Sequence, residues 1–266
     1  LVDFTPARLI QVIQASAVLT LVLNTISLWK QETRRPRRGA AQPDAPEFGR
    51  AWRDYVAGDG VRRRLVAIGL GTAAFGMQDV LLEPYGGQVL GMTVGATTSL
   101  TASLAAGGLI GFSVASYVLA RGADPFRMAI TGALVGIAAF ALVILSASVG
   151  SVPLFALGVG LVGLGGGLFG HGTLTATMNH APPDRAGLAL GAWGAVQATT
   201  AGAAIAAGGL LADTVGALAG RGAFGASLAR PATGYVAVYA AEIALLVATI
   251  VLMSALARGH RPPRRA

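Results

Sequence analysis

Seven stretches of 18 or more residues, roughly 9–29, 65–82, 94–119, 128–147, 153–178, 186–212 and 235–256, are apolar almost throughout, and only Asp79 and Glu242 bring a formal charge into them. A helix of that length rises about 27 Å or more, close to the hydrocarbon thickness of a bilayer. A chain built this way reads as an all-α polytopic membrane protein. Charged residues make up 12% of the sequence, against about 25% in soluble domains, so half of the usual solvated surface is missing. The 38 glycines sit inside the apolar runs beside Ala, Leu and Val, where small residues let helices approach closely in lipid. With no cysteine, thiolate catalysis, disulfides and Cys-ligated zinc are excluded.

The net charge of +8 would suggest nucleic acid if it were clustered, but it alternates along the chain. Of the 20 basic residues, 17 fall in the segments that alternate spans assign to one side, and only Arg8, Arg221 and Arg230 fall on the other. The positive-inside rule puts the 17 in the cytoplasm, together with the C-terminus. The first residues, Leu1-Val2-Asp3-Phe4, are neither a Met start nor a signal peptide. An outside start of this kind leads us to expect that the chain is the C-terminal part of a longer protein.

The longest hydrophilic stretch, 31–64, holds the run Arg34-Arg35-Pro36-Arg37-Arg38 and then Phe48, Trp52, Tyr55 and Val56 at helical spacing. That spacing predicts a short interfacial helix, and a plain linker remains the alternative. We therefore expect residues 1–30 to be one span, 31–64 a cytoplasmic loop, 65–256 a six-helix bundle and 257–266 a basic cytoplasmic tail. Gly69-Leu70-Gly71-Thr72-Ala73-Ala74-Phe75-Gly76 matches Gly163-Leu164-Gly165-Gly166-Gly167-Leu168-Phe169-Gly170 at five of eight positions, three spans apart. Such an echo is what an inverted three-plus-three repeat would leave. Asp124-Pro125 reads as an N-cap with Pro in the first turn, and Pro182-Pro183-Asp184 resembles it. The pairs Gly107/Gly111, Gly163/Gly167, Gly166/Gly170 and Gly187/Gly191 predict close helix contacts.

Ionisable groups inside spans are expensive and normally face protein or a cavity. Asp79 and Glu83 are expected on one helical face, one turn apart, as a site for protons, a cation or a ligand, or else as an interfacial pair. Gln78 precedes them. His171 lies between Gly170 and Gly172, whose bare flanks would admit a flat macrocycle to an imidazole able to serve as an axial ligand; a hydrogen bond to a neighbouring helix is the alternative. Glu242 needs a partner or a cavity, with Arg230 the nearest basic residue in sequence. Gln197, after Trp193, is expected to bond between helices. No P-loop, GxSxG, HExxH or dinucleotide fingerprint is present, so catalysis is not expected.

Four stretches carry a family resemblance: Phe4-Thr5-Pro6-Ala7-Arg8-Leu9-Ile10-Gln11-Val12, Ala74 through Gly87 (with Gln78-Asp79-Val80-Leu81-Leu82-Glu83-Pro84-Tyr85), Leu168-Phe169-Gly170-His171-Gly172-Thr173-Leu174-Thr175-Ala176, and Gly191-Ala192-Trp193-Gly194-Ala195-Val196-Gln197-Ala198. Together they resemble the PucC/LhaA light-harvesting assembly proteins, the bacteriochlorophyll-delivery branch of the major facilitator superfamily. The superfamily's sugar-porter loop motif survives only weakly, at 121–127. The resemblance implies a twelve-span inner-membrane protein of phototrophic bacteria, of which about half is here: the last helix of the first half and the six-helix second half. It implies membrane lipid, antenna polypeptides and bacteriochlorophyll or its synthesis enzymes as partners, with bacteriochlorophyll as cargo, no covalent cofactor and no nucleic acid. Asp79, Glu83, Gln78, His171, Gln197, Trp193 and Glu242 are the candidate contacts, with His171 as the possible axial ligand to the pigment's magnesium. The alternative is a proton-coupled secondary transporter of a small solute, using Asp79, Glu83 or Glu242.

Overall fold

The computed structural model describes residues 6–28, 48–182 and 185–259, and every regular element among them is helical. The chain divides after Glu47 into two units. In the first, the described element is α1 (Pro6–Leu28), with exposed, mostly apolar side chains from Ile10 to Ile26. The second holds α2 (Phe48–Val56), α3 (Val61–Gly76), α4 (Leu82–Leu90), α5 (Val94–Ala120), α6 (Pro125–Val149), α7 (Val152–Asn179), α8 (Ala186–Gly220) and α9 (Ala232–Gly259), with a single 3-10 turn at Ala226–Leu228. Helices α5 to α9 are long and apolar enough to cross a bilayer. The chain is an all-α polytopic membrane protein.

The expected second span, 65–82, is not one helix. α3 stops at Gly76, residues 77–81 form turns, and α4 restarts at Leu82. Pro84 gives the physical reason. In a continuous helix its ring would collide with the carbonyl of Val80, and it has no N–H to offer that carbonyl. Restarting at Leu82 puts Pro84 in the first turn of α4, where a missing N–H costs nothing. α3 also begins at Val61, earlier than expected, and takes Arg62, Arg63 and Arg64 into its first turn. Residues 29–47, including the basic run at 34–38, lie outside the described residues, as do 260–266 of the expected tail. The amphipathic segment is the helix α2, and its apolar face docks on protein. Tyr55 is buried, and Trp52 and Val56 are half-buried, against Val61, Leu65, Ala189 and Ala192, while Phe48 is 73% exposed.

Capping agrees with the sequence signals at α6. Asp124 accepts from the N–H groups of Phe126 (2.8 Å) and Arg127 (3.1 Å), with Pro125 opening the helix. Thr93 and Ser151 cap α5 and α7 in the same way. Pro183 and Asp184 lie outside the described residues, and Arg185 before α8 supplies no side-chain cap.

α7 is the central rod. Gly163 and Gly167 lie directly on the backbone of α5 at Leu104 and Gly108, and Gly107 and Gly111 return the contact. On another face Gly165 meets Gly132 and Gly136 of α6. Gly187 and Gly191 do not behave as expected: a Cβ at either would meet nothing within 4 Å. They lie on the exposed face of α8, away from the contacts that Ala189 and Ala192 make with α2 and α3.

The pairing of helices carries an exchange pattern. α7 packs on α5 and α6, α3 packs on α8 and α9, and α6 packs on α9. Swapping α3 with α7, α5 with α8 and α6 with α9 maps these five pairs onto one another, whereas α8 also packs on α9 and the counterpart pair, α5 with α6, barely touches. The echoed segments obey it residue by residue: Gly163 faces α5 at Leu104, and Gly69 faces α8 at Thr200 and Val196. Phe169 covers Gly71, while Phe75 lies 3.3 Å from a Cβ built on Gly165, and the two rings sit 5.8 Å apart. Reciprocal contact between equivalent residues is the mark of a two-fold relation. Ile68, Phe126, Ala176 and Leu256 share one cluster, so the arginine-bearing ends of α3, α6 and α9 come together with the C-terminal end of α7. Of the eleven arginines described in this unit, nine (Arg50, Arg53, Arg62, Arg63, Arg64, Arg121, Arg127, Arg185 and Arg258) belong to that end, and Arg221 and Arg230 to the other.

Candidate functional site

Where α3 breaks, a pocket of about 350 Å³ opens among α3, α5, α7 and α8. Thr72, Phe75 and Gly76 come from the last turn of α3, and Asp79 from the break itself. α7 contributes Gly166, Phe169 and Gly170, whose two glycines make space by their missing side chains, and α5 closes one edge with Phe112. α8 supplies Trp193, Gln197, Ala201 and Ile205. Gly166 and Gly170, expected to seat a helix, therefore line the pocket, with only the rings of Phe75 and Phe112 near them, at 3.7 and 3.9 Å from a built Cβ.

Four aromatic rings dominate this lining. Trp193 is held by its indole N–H, which donates to Thr173 Oγ1 (3.3 Å), and that hydroxyl donates to the carbonyl of Gly170 (3.0 Å). Polar groups are few: Asp79, which is exposed, Gln197, and the buried hydroxyl of Thr72, which has no partner among the described residues. Gln197 makes no interhelical bond among the described residues and turns to the pocket instead.

Asp79 and Glu83, expected to act as a pair, are separated by the break. Glu83 lies in the first turn of α4, and its Oε1 accepts from Thr101 Oγ1 of α5 (2.8 Å). Tyr85 is fully buried and donates to the carbonyl of Val143 on α6 (2.9 Å), and Tyr235 of α9 donates to Gln88 Oε1 (2.9 Å). Gly86 lets Phe155 of α7 approach to 3.2 Å of a built Cβ. The segment from Gln78 to Gly87 is thus a joint followed by a short helix pegged to α5, α6 and α9. Only Asp79 of the two carboxylates enters the pocket.

His171 stands apart from it. Its ring meets Phe112 edge-on at 5.3 Å, and Nδ1 is buried without a partner among the described residues. The flank at Gly172, read as open, is filled by α6, with Ala129 N 2.8 Å and Pro125 O 3.0 Å from a built Cβ. Glu242 is fully buried on α9 and makes no hydrogen bond among the described residues; Arg230 is exposed near the start of that helix and does not reach it. Gln78 is buried in the joint, where its Nε2 donates to the carbonyl of Phe75 (3.1 Å). Sequence reasoning missed Phe75, Phe169 and Phe112 as pocket walls, and Tyr239 beside Glu242. The matched Phe of the echo, at 75 and 169, was the available signal for the first two.

A family model described as PUCC protein matches residues 1–260. The chain belongs to the PucC family. It is 49% identical to Protein PucC of Cereibacter sphaeroides over 97% of this chain and 55% of that one. It is 56% identical to Protein PucC of Rhodovulum sulfidophilum over 80% of this chain and 48% of the relative. A more distant relative, the bacteriochlorophyll synthase 44.5 kDa chain of Rhodobacter capsulatus, is 28% identical over 75% of this chain and 47% of its own. The chain spans about half the length of the curated relatives it matches. The pocket draws on three of the four sequence stretches that carry the family resemblance.

Proposed function

We propose that this chain is part of a non-enzymatic membrane factor that assembles light-harvesting antenna complexes, and that it holds bacteriochlorophyll against the α3–α8 pocket for delivery to antenna polypeptides. The observation that carries this reading is the pocket's lining. Ligand sites range over about 300–1,000 Å³ and are mostly apolar with a few oriented polar groups. Four rings against Asp79, Gln197 and Thr72 suit a flat, greasy ligand. A small polar solute would need more converging polar groups, so the lining favours pigment over the transport reading. A tetrapyrrole with its hydrocarbon tail exceeds this volume, so the pocket would take one part of the ligand, and the remaining length of the full protein would cover the rest.

The reciprocal contacts of α3 and α7 support the further proposal that α3 to α9 form the second half of a major facilitator fold, built as inverted repeats. The nine-to-two distribution of arginine supports a bacterial inner membrane setting with the arginine-rich end in the cytoplasm. The test is genetic and biochemical together. Deleting the gene in a phototrophic host should lower antenna complexes while pigment synthesis and reaction centres persist, and the purified full-length protein should carry bacteriochlorophyll. Normal antenna levels in a strain without a second family member would overturn the assembly role. Pigment-free protein from pigment-replete cells would overturn the cargo.

A further inference from the structure

Away from the pocket lining, the α3–α4 joint rests on α9: Met77 and Leu81 pack with Val238, Ala241 and Leu245. Glu242 lies on the stretch of α9 that this contact spans. It is fully buried, and neither carboxyl oxygen has a hydrogen-bond partner among the described residues. The backbone N–H of Gln78 lies beside the carboxyl but falls short of hydrogen-bond geometry. By helical rise Glu242 stands about 15 Å from the first residue of α9, near the middle of a bilayer core of about 30 Å.

Its surroundings share the deficit. Tyr239, one turn earlier, is fully buried with its hydroxyl unpartnered, its ring 5.5 Å from Tyr85 and stacked at 6.1 Å on Phe140. Gln78 is buried with Oε1 unpartnered. The titratable groups near Glu242 are Tyr239 and Tyr235 on α9 and Tyr85 on α4, with Asp213 of α8 near Tyr235. From the α3 side come Gln78 and, facing the pocket, Asp79. α6 presents Phe140, and its one ionisable residue, Arg127, is in its first turn. No cation is therefore placed to balance a carboxylate there among the described residues.

An isolated charge at that depth is costly, and a buried carboxylate without a partner is the least favourable case. A proton removes the charge and turns one carboxyl oxygen into a donor amid acceptors that lack one. We propose that Glu242, with Tyr239 and Gln78, forms a proton-binding site that holds the α3–α4 joint against α9. On release the O–H bond breaks, the proton passes to water entering at the joint, and the remaining carboxylate draws that water in. The loop at 77–81 then loosens from α9, and with it Asp79 at the pocket edge. The site holds its proton whether or not the pocket's ligand is pigment.

Infrared difference spectroscopy of the full-length protein in lipid reads the proton directly. At neutral pH the wild type should show the carbonyl stretch of a protonated acid, and Glu242→Gln, which keeps shape and volume, should lack it. Tyr239→Phe, which removes one polar neighbour, should shift that band without removing it. Hydrogen exchange supplies the second reading: amides 77–82, corrected for intrinsic rate, should open about tenfold more often at alkaline pH in the wild type and show no such change in Glu242→Gln. An acid band that survives Glu242→Gln, or one that sodium abolishes at fixed pH, would overturn the proton site, the latter in favour of a metal cation. Pigment content enters neither reading.

Discussion

α3 and α7 carry the same word, five residues in eight, and put it to different uses. In α7 the helix runs on past Gly170 to Asn179, and Gly163, Gly165 and Gly167 lie on the backbones of α5 and α6. In α3 the helix ends on the last letter, Gly76, and the chain turns through Gln78 and Asp79 before restarting. The shared part sets the crossing of the two helices through Phe75 and Phe169. The residues just beyond it determine whether the copy becomes a rod or a joint, and Pro84 makes that choice for α3. The difference teaches that one word can end in a rod or in a joint, and that the joint brings a carboxylate, Asp79, to a pocket that both helices line.

The sharpest way to break that comparison is a pair of substitutions at one repeat position. A Cβ on Gly163 would strike the carbonyl of Leu104 and lie 2.9 Å from the N of Gly108, both backbone. Gly163→Ala should cost about 3 kcal/mol, since backbone cannot step aside as a side chain does. Gly69→Ala would meet Thr200 Oγ1 at 3.4 Å and Val196 Cγ1 at 3.5 Å, ordinary contacts, and should change stability by less than about 0.5 kcal/mol. Thermal unfolding of the full-length protein in detergent measures both, and equal losses would erase the distinction between rod and joint. Next in size is Tyr85→Phe, which removes the bond to Val143 and should cost about 1 kcal/mol by the same assay. No loss would mean that α4 is not pegged by that hydroxyl.

Much of the fold was legible in the sequence because bilayer thickness fixes span length, and five of the seven apolar runs are helices long enough to span. The echo was legible too, and its contacts prove reciprocal. The joint was not read, although Pro84 announced it: hydropathy over 65–82 is blind to one missing N–H, and treating Asp79 and Glu83 as one face assumed the helix unbroken. The candidate residues divide for the same reason. Asp79, Trp193 and Gln197 meet in one pocket because the break turns Asp79 towards α8. Glu83 and Gln78 serve the joint, and Glu242 lies behind a contact that periodicity cannot show. Gly187 and Gly191 failed because a small-residue pair permits an approach without naming a partner.

Within the joint, Asp79 should matter to ligand and little to folding. It is exposed, with no hydrogen-bond partner for its side chain among the described residues, so Asp79→Asn should leave membrane level and melting within about 0.5 kcal/mol of wild type. Bound bacteriochlorophyll per purified protein, and antenna complexes in the host, should both fall. If pigment content holds while antenna levels drop, Asp79 contacts the polypeptide and not the pigment, and the pocket's carboxylate belongs to the partner surface.

The smallest effect is expected on the rod, at His171. The expectation that Gly170 and Gly172 would bare the imidazole to a macrocycle meets two facts. α6 fills the space at Gly172, and Phe112 stands edge-on to the ring, at the rim of the pocket. His171→Leu replaces a ring whose Nδ1 has no partner among the described residues with an apolar side chain against Phe112, so no polar group is orphaned and little stability is lost. Pigment extracted from the purified variant should match wild type by absorbance. A clear loss that imidazole restores in His171→Gly would reverse this. The pocket would then extend past Phe112 to an axial nitrogen on the rod.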